Sequence, residues 1–541
     1  MNLKPDLYTF LRNESPTELK RLIGLSIFSG LLNTAIIGLI NAGSQDVASG
    51  QSVTMLFFGF CVLLVFFLFV TRRSNKENVI NTQDLIYRFK VRIMRDVYKS
   101  SLTKIDRIGR QHINEVLLRD TQLVSQTVVT IALTFQGLTT MIFLIFYMAT
   151  VSITAFFIVL ISTALIVIFG ILEAFKTHSK MMTVGQKDSE VNAYYADFLN
   201  GYKEIKMNSR RSFDLTLEMV NESKSVKDQK SDSFVTLTNF FSFLQITLYV
   251  LVGIMIFIIP LVSPDFAMHV PTTATTTLFL AGTLGGLINS VPGLSEANVS
   301  AGRLMGLATE LEAHDTKLSK LHQEDFSDVR SISLHDITYQ HSTVSEKNKF
   351  QLGPISYQFD AGKVYFIRGS NGSGKTTLIR VLTGLYQPSS GEVRVNGKPI
   401  SEPSSLDYRD IFAVVFSDFY LFKKLYGIDP PTPEAIDLLL ERFQMRGKVS
   451  IDNNTFSDLQ FSTGQRKRIA LIVALLENKS IIILDEWAAD QDPAFRQEFY
   501  EQIIPQLRAM GKTVIAITHD DHYYDIADHV LYMFDGKPLI S

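Results

Sequence analysis

The sequence predicts an α-helical membrane domain with six spans, followed by a soluble α/β domain. Hydrophobic residues make up 46% of the 541 residues, but they are unevenly distributed. The long apolar stretches lie at 22–42, 53–71, 127–149, 151–172, 236–262 and 272–294. Residues 330–541 contain no such stretch, and there an apolar strand, a glycine-rich turn and a helix are predicted in succession at 363–385. A chain of this length is expected to form at least two domains.

Each apolar stretch is about as long as the roughly 20 residues that a helix needs to cross a bilayer. Lys and Arg are frequent in segments 72–122 and 173–233 and absent from loops 43–52 and 263–271. Because positively charged loops remain in the cytoplasm, both long loops, both termini and the soluble domain are predicted to be cytoplasmic. The single cysteine, Cys61, excludes an intrachain disulfide and fits a bacterial membrane protein.

The predicted organisation has three parts. A transmembrane domain with long cytoplasmic helical extensions covers 1–310, a polar linker covers 311–329, and the soluble domain covers 330–541. Segments 84–102 and 194–208 repeat apolar residues every three or four positions, which predicts helices that continue the spans. The net charge of −2 gives no reason to expect a nucleic-acid partner, and none is predicted.

The glycine-rich turn matches the pattern G-x-x-x-x-G-K-[ST], from Gly369 to Thr376. Glycines let successive backbone N–H groups point at phosphate oxygens, and the following helix adds its positive end. Lys375 is expected to reach the β- and γ-phosphates and Thr376 to bind Mg²⁺. The alternative is a purely structural turn. The predicted phosphate contacts are Gly369, Ser370, Asn371, Gly372, Ser373, Gly374, Lys375, Thr376 and Thr377.

Two adjacent carboxylates, Asp485 and Glu486, follow the apolar run "IIIL". Asp485 is expected to share the Mg²⁺ site, and Glu486 to orient or deprotonate the attacking water. Ser462 and Gly464 begin a predicted helix and would present a hydroxyl and N–H groups to an anion. His519 ends the predicted strand in "KTVIAITH" and could contact the γ-phosphate, although a histidine at a strand end is more often structural.

Residues 330–541 resemble the α/β P-loop nucleotide-binding domain of ABC transporters. The similarity lies in the Walker A motif "GSNGSGKT", the signature "FSTGQ", and the Walker B motif "IIILDE". With six spans in front, the whole chain resembles an exporter-type half-transporter. The resemblance implies that ATP and Mg²⁺ are bound, that Gln465 belongs to the signature, and that Asp492 and His519 are the D-loop and switch residues.

The sequence departs from the family pattern at the following positions. Ser417 stands where a glutamine usually contacts Mg²⁺ and the attacking water, and Thr463 replaces the first signature glycine. The aromatic residue that stacks on adenine aligns with His341, while Tyr339 lies two residues earlier. Either side chain could take that role. Lys375, Asp485 and Glu486 are intact, which predicts an active ATP hydrolase.

The wording of "DEWAADQDP" and "GLYQPSSGEVRVNGKPI" resembles a narrower group, the bacterial cyclic-peptide and siderophore exporters (pyoverdine-precursor, syringomycin and microcin-exporter relatives). This implies ATP-driven export of a cyclic or modified peptide across the bacterial inner membrane. It also implies a homodimer, because a second copy completes both ATP sites. The alternatives are an exporter of lipids or drug-like molecules, and an ATP-gated channel or sensor with little turnover.

Polar side chains within the spans are candidates for substrate contact, because they are costly to expose to membrane lipid. Hydrogen bonding between helices is the alternative. These residues are Gln136, Asn239, Gln245, Tyr249, Asn289 and the threonines at 272, 273, 275, 276 and 277. Segments 103–110 and 197–206 are expected to transmit closure of the ATP domains to the spans.

Overall fold

The computed structural model describes residues 6–262, 264–312, 326, 328–340, 350–400 and 405–539. The chain forms two compact units. The first comprises residues 1–98 and 108–314, and the second comprises residues 99–107 and 315–541. Most of the predicted linker lies outside the described residues, although the last helix of the first unit continues to Glu312.

The first unit is helical. Its helices, together with the short α4 at the boundary, are α1 Asp6–Glu14, α2 Pro16–Ala48, α3 Thr54–Lys99, α4 Leu102–Ile108, α5 Arg110–Glu115, α6 Thr121–Val151, α7 Ile153–Asn200, α8 Tyr202–Met207, α9 Ser209–Gly253, α10 Ile259–Val262 and α11 Val270–Glu312. Single π-helical turns at Val116–Asp120 and Ile254–Ile258 join α5 to α6 and α9 to α10, and Pro264–His269 is a 3₁₀-helix.

Six helical segments are long and apolar enough to cross a membrane, which confirms the predicted span count over the described residues. They are Pro16–Ala48, Thr54–Lys99, Arg110–Val151, Ile153–Gly170, Ser209–Leu261 and Val270–Glu312. The helices α3 and α7 continue well beyond their apolar portions, but the helices predicted over 84–102 and 194–208 are interrupted at Ser100–Ser101 and at Gly201. Between the third and fourth spans the break is only one residue long, where Ser152 caps α7 by accepting a hydrogen bond from the Ala155 N–H.

The second unit contains three sheets. Its strands are β1 Ser331–Gln340, β2 Gln351–Asp360, β3 Val364–Gly369, β4 Ser390–Val395, β5 Lys398–Pro399, β6 Phe412–Val415, β7 Ile451–Asp452, β8 Thr455–Phe456, β9 Ile481–Asp485, β10 Thr513–Ile517, β11 His529–Phe534 and β12 Lys537–Leu539. Its remaining α-helices are α12 Lys375–Leu382, α13 Leu406–Arg409, α14 Pro433–Arg442, α15 Thr463–Leu476, α16 Pro493–Glu498 and α17 Ile504–Ala509.

The central sheet has the order β12-β11-β3-β10-β9-β6 and is parallel except for β12. The inner strands β3, β9 and β10 are apolar and buried on both faces, because both faces of the sheet are covered there. Alternate residues therefore enter two cores: Phe366 and Leu484 pack on one side, and Tyr365 and Ile483 on the other. A second, antiparallel sheet has the order β2-β1-β4-β5, and β7 pairs with β8.

The topology brings four strand ends together. Strands β3, β10, β9 and β6 are adjacent and parallel, so their carboxyl ends share one edge of the sheet. Ligands of open α/β sheets bind at this edge. At or within two residues of these strand ends lie the glycine-rich loop, His519, the Asp485–Glu486 pair and Ser417.

Candidate active site

The glycine-rich loop after β3 folds over the side chain of Lys375. Gly369 has φ +150°, and a Cβ atom there would lie 2.2 Å from the carbonyl oxygen of Met533. Gly374 has φ +95°, and its Cβ would lie 2.7 Å from the ring of Phe350. Both positions therefore require glycine. The Nζ atom of Lys375 donates hydrogen bonds to the carbonyl oxygens of Gly369 at 2.9 Å and Ser370 at 3.1 Å.

Lys375 is buried, and burial lowers its pKa, while the negative charges of Glu486 and Asp485 oppose that shift. Its Nζ atom is held by backbone carbonyls alone among the described residues. A desolvated ammonium group gains free energy from an anion placed beside it, so this arrangement favours an anionic ligand.

Asp485 lies at the end of β9 and is fully buried. Its carboxylate accepts hydrogen bonds from the Thr376 hydroxyl, at 3.1 and 3.2 Å, and from the Ser417 hydroxyl at 3.1 Å. The Ser417 N–H adds a longer contact of 3.4 Å. Burial raises the pKa of Asp485, and the hydrogen bonds from Ser417 and Thr376 partly offset that effect. The structure thus brings together all three residues that the sequence predicts for Mg²⁺.

Glu486 directly follows Asp485 and adopts a left-handed backbone conformation, with φ +49° and ψ +36°. This conformation directs it away from the strand, and its Oε1 atom lies 3.5 Å from Nε2 of His519. Both side chains are partly exposed. A partly exposed carboxylate next to a histidine, at the same sheet edge as the phosphate loop, is suited to accept a proton from water.

The turn that carries Glu486 is fastened to helix α15 by Lys467, a residue that sequence reasoning missed. The Nζ atom of Lys467 donates to the Glu486 carbonyl oxygen at 2.6 Å and pairs with Asp490 at 2.7 Å. In return, Nε1 of Trp487 donates to the Lys467 carbonyl oxygen at 2.7 Å. Trp487 is buried against Phe499, so its structural role is packing. In the sequence, the only indication of this contact is that Lys467 lies just before the apolar run of α15.

The signature residues form the start of α15. Ser462 and Gln465 form a reciprocal capping box, and a Cβ atom on Gly464 would lie 2.5 Å from the Asp490 carbonyl oxygen. Asp492 caps α16 and accepts a hydrogen bond from the guanidinium of Arg468 at 2.6 Å. The hydrogen bond from the Phe495 N–H, and then the charge of Arg468, lower the pKa of Asp492.

Within the described residues, no hydrogen bond or ion pair joins Ser462, Gly464, Gln465 or Asp492 to the phosphate loop. One protomer therefore brings together the phosphate loop, the Asp485 cluster and the Glu486–His519 pair. It does not connect the signature to them.

The structure argues against Tyr339 as the adenine partner. Tyr339 belongs to β1 and is buried, with its ring stacked on Tyr386 at a centroid distance of 4.9 Å. A ring that is already stacked in a core offers no free face to a base. The pattern of β1 explains this, because Tyr339 follows Ile337 by two positions and both side chains are buried. The other candidate, His341, lies outside the described residues.

The residues present fit a nucleotide and Mg²⁺. The Ser373 hydroxyl is buried without a hydrogen-bond partner among the described residues. The first N–H groups of α12 have no partner within the helix. Thr376, Ser417 and Asp485 supply oxygen atoms, which Mg²⁺ prefers, and Mg²⁺ commonly needs only one or two carboxylates when phosphates complete its shell.

Comparison with known proteins places these motifs in a family context. Residues 352–489 match the family model described as ABC transporter. The ATP-binding protein SyrD of Pseudomonas syringae pv. syringae is 29% identical over 529 residues, which are 94% of this chain and 92% of that protein. The energy-coupling factor transporter ATP-binding protein EcfA1 of Streptococcus mutans is 32% identical over 221 residues, 38% of this chain and 76% of that protein.

A solved structure shares the fold across both units. The structure of a bacterial Atm1-family ABC exporter with ATP bound superposes with a TM-score of 0.73. The alignment covers 98% of this chain and 95% of that one, at 16% sequence identity. The likeness therefore extends over the helical unit as well as the α/β unit.

Proposed function

The chain belongs to the ABC transporter family, and on that premise we propose that it exports a cyclic or modified peptide across the bacterial inner membrane. It is a half-transporter with the exporter fold, in which ATP hydrolysis is coupled to transport, and this arrangement implies dimerisation. The ATP domain is cytoplasmic and six helices are suited to span the membrane.

The likeness to SyrD over 94% of the chain is the observation that supports the peptide cargo most strongly. The similarity to SyrD includes the membrane part of the chain. The similarity to EcfA1 of Streptococcus mutans covers 38% of this chain, an extent that fits the ATP domain alone. The motifs "DEWAADQDP" and "GLYQPSSGEVRVNGKPI" support the same group. We take the exposed apolar side chains of the spans, such as Phe57, Phe58 and Phe69, to contact membrane lipid.

For the ATP site we propose a division of labour. Lys375 and the N–H groups of residues 369–377 bind the phosphates, and Thr376, Asp485 and Ser417 would hold Mg²⁺, which neutralises charge that develops on the phosphates. Glu486 accepts a proton from the attacking water, and His519 lies beside it at 3.5 Å. Among the described residues of one protomer, Ser462, Gly464, Gln465 and Asp492 make no bond to the loop, and we propose that they complete the site of a second copy.

The test is ATP hydrolysis by the protein reconstituted in lipid, measured with cyclic lipopeptides, siderophore precursors and unrelated lipophilic drugs. Saturable stimulation by the peptide class, absent from Glu486→Gln, is the expected result. Stimulation by lipids or drugs alone would assign the cargo to those classes. Nucleotide binding with no turnover above Glu486→Gln would instead identify an ATP-gated channel or sensor.

A further inference from the structure

The helical unit contains a cavity of about 760 Å³ between α2, α6 and α11. Its volume lies within the range of about 300–1,000 Å³ that is typical of small-molecule sites. The cavity is mixed in character: three carboxamides and five serine or threonine hydroxyls line it together with Phe279 and three leucines. No ionisable side chain is among the lining residues.

The three carboxamides belong to Asn33, Gln136 and Asn289, and none of them makes a hydrogen bond to another described residue. A polar group in the hydrocarbon layer costs free energy unless it is paired or faces a polar cavity. Sequence reasoning singled out Gln136 and Asn289 as candidate substrate contacts. The structure places both in one cavity and adds Asn33.

Other amides on α2 show that pairing is available within the same helices. Asn41 donates to the Thr276 hydroxyl at 3.0 Å, and Gln45 donates to the Thr272 hydroxyl at 2.8 Å, both across to α11. These polar residues therefore join helices, which is the structural role that the sequence left open for the threonine cluster. The lone carboxamides differ because they face open space. Asn239, Gln245 and Tyr249 lie on α9, and Gln245 bonds Tyr249 at 3.1 Å.

Two glycines on α11 open the cavity. Gly282 and Gly286 lie one helical turn apart, and a Cβ atom at either position would meet nothing within 4 Å. Gly137 on α6 is different, because its Cβ would lie 3.2 Å from Leu287, where the two helices pack. Gly282 and Gly286 therefore border the open cavity, whereas Gly137 lies where two helices pack together.

We propose that this cavity binds the transported cargo and selects uncharged molecules that combine amide or hydroxyl groups with an apolar surface. Unpaired carboxamides offer both donors and acceptors, which match the backbone of a neutral cyclic peptide. A charged group on the cargo would have no counterion among the lining residues, so its desolvation free energy would not be offset. The assignment rests on the proposed export function, and it adds the location of the cargo and its charge class.

The test measures equilibrium binding to the nucleotide-free dimer in lipid nanodiscs by fluorescence anisotropy. The probes are a labelled neutral cyclic octapeptide, its analogue with one lysine, and a labelled uncharged macrolactone. Gly282→Leu fills the cavity, and Gly285→Leu is the matched control. Gly285 is on the same helix, has equal space for a Cβ, and does not line the cavity.

We expect Gly282→Leu to weaken binding of the neutral peptide by about tenfold or more, and Gly285→Leu to change it by less than about threefold. Gln136→Glu alters charge with little change of shape, so it should shift preference toward the lysine analogue. That gain of binding cannot result from misfolding.

The remaining outcomes separate the site from the cargo. Loss of macrolactone binding in Gly282→Leu, with no peptide binding to the native chain, would keep the cavity assignment and remove the peptide from the proposed function. Peptide binding that is equal in both leucine variants would overturn the assignment and leave peptide export intact. Failure of every neutral probe to bind the native chain would also overturn the assignment. Chemical cross-linking of the dimer gives a further check: if Gly282→Leu no longer forms the cross-linked dimer, this face is a contact between copies and the assignment is overturned.

Discussion

Lys467 fixes the backbone turn that presents Glu486. A non-glycine residue in the left-handed region is strained, and such strain persists only where neighbouring contacts hold it. Here the Lys467 ammonium bonds the Glu486 carbonyl oxygen at 2.6 Å and Asp490 at 2.7 Å. The helix that carries the signature is thereby tied to the turn that carries the proposed base. We expect Lys467 to act as a positioning residue, because its ammonium contacts the backbone of Glu486 and not the Glu486 carboxylate.

Lys467→Met removes these bonds while keeping a side chain of similar length. We expect kcat for ATP to fall about tenfold with KM changed by less than about twofold, because the loss concerns Glu486 and not nucleotide binding. Trp487 is the only tryptophan, and its emission should shift as its turn loosens. Lys479→Met, which breaks a surface pair with Asp410, is the control. Turnover equal to that control would refute the positioning role.

Asp485 gives a prediction about pH. Burial raises its pKa above the usual 3.8, so the folded chain without nucleotide holds the proton of this acid more tightly than the unfolded chain does. The associated stability is complete below 3.8 and is lost as the pH rises through the folded pKa. Asp485→Asn mimics the protonated form. It should therefore raise Tm by about 2–4 °C at pH 8, and this gain should shrink as the pH falls toward 3.8.

The Tm comparison needs a matched acid-to-amide change at an exposed position. Asp418→Asn serves, because the Asp418 side chain is 62% exposed. No gain for Asp485→Asn over Asp418→Asn at pH 8 would contradict the inference that burial of the charged carboxylate is destabilising.

At the scale of elements, the ends of the parallel strands account for most of the site. The apolar strand before each motif was recognisable in the sequence, and the parallel sheet brings the ends of β3, β9, β10 and β6 to one edge. Local patterns did not reveal the Lys467–Glu486 bond, since it joins a helix to a loop 19 positions later. Tyr339 lies two positions after Ile337, a spacing that is compatible with one buried face of a strand, and both side chains are buried in β1.

Tyr339→Ala tests the buried role of this ring. Removing an aromatic side chain from a packed core should lower the free energy of unfolding by about 3 kcal/mol. Affinity for a fluorescent ATP analogue, measured at a temperature where the variant is folded, should change by less than about twofold. Tyr420→Ala, at a side chain that is 76% exposed, should alter neither quantity. A large loss of nucleotide affinity with unchanged stability would restore Tyr339 as the adenine partner.

On the scale of the whole molecule, composition alone predicted the six spans, because hydropathy and length are local properties. The division of the chain into two units was harder to predict from the sequence. Segment 99–107 lies in sequence between two apolar helices, yet it clusters with the second unit, where Leu102 packs against the core. This overlaps the segment 103–110 that was expected to transmit motion. The cavity beside Gly282 could not be predicted from the sequence either, because it depends on how three helices that are far apart in the sequence pack together.

Leu102→Ser tests whether segment 99–107 couples the ATP site to transport. Weakening one apolar contact should leave basal ATP hydrolysis within about twofold, because Leu102 touches no catalytic residue. Stimulation by the cyclic peptide that activates the native chain should fall several-fold. Tyr98→Ser, at an exposed neighbouring position, is the control. If both variants retain full stimulation, this segment does not transmit the signal.

The most direct test of the account is ATP-dependent uptake of a fluorescent cyclic peptide into lipid vesicles that hold the protein with its ATP domain outward. We expect saturable uptake by the native chain that requires ATP and is absent from Glu486→Gln. Equal uptake by both proteins, or hydrolysis by the native chain with no uptake of any peptide, would contradict it.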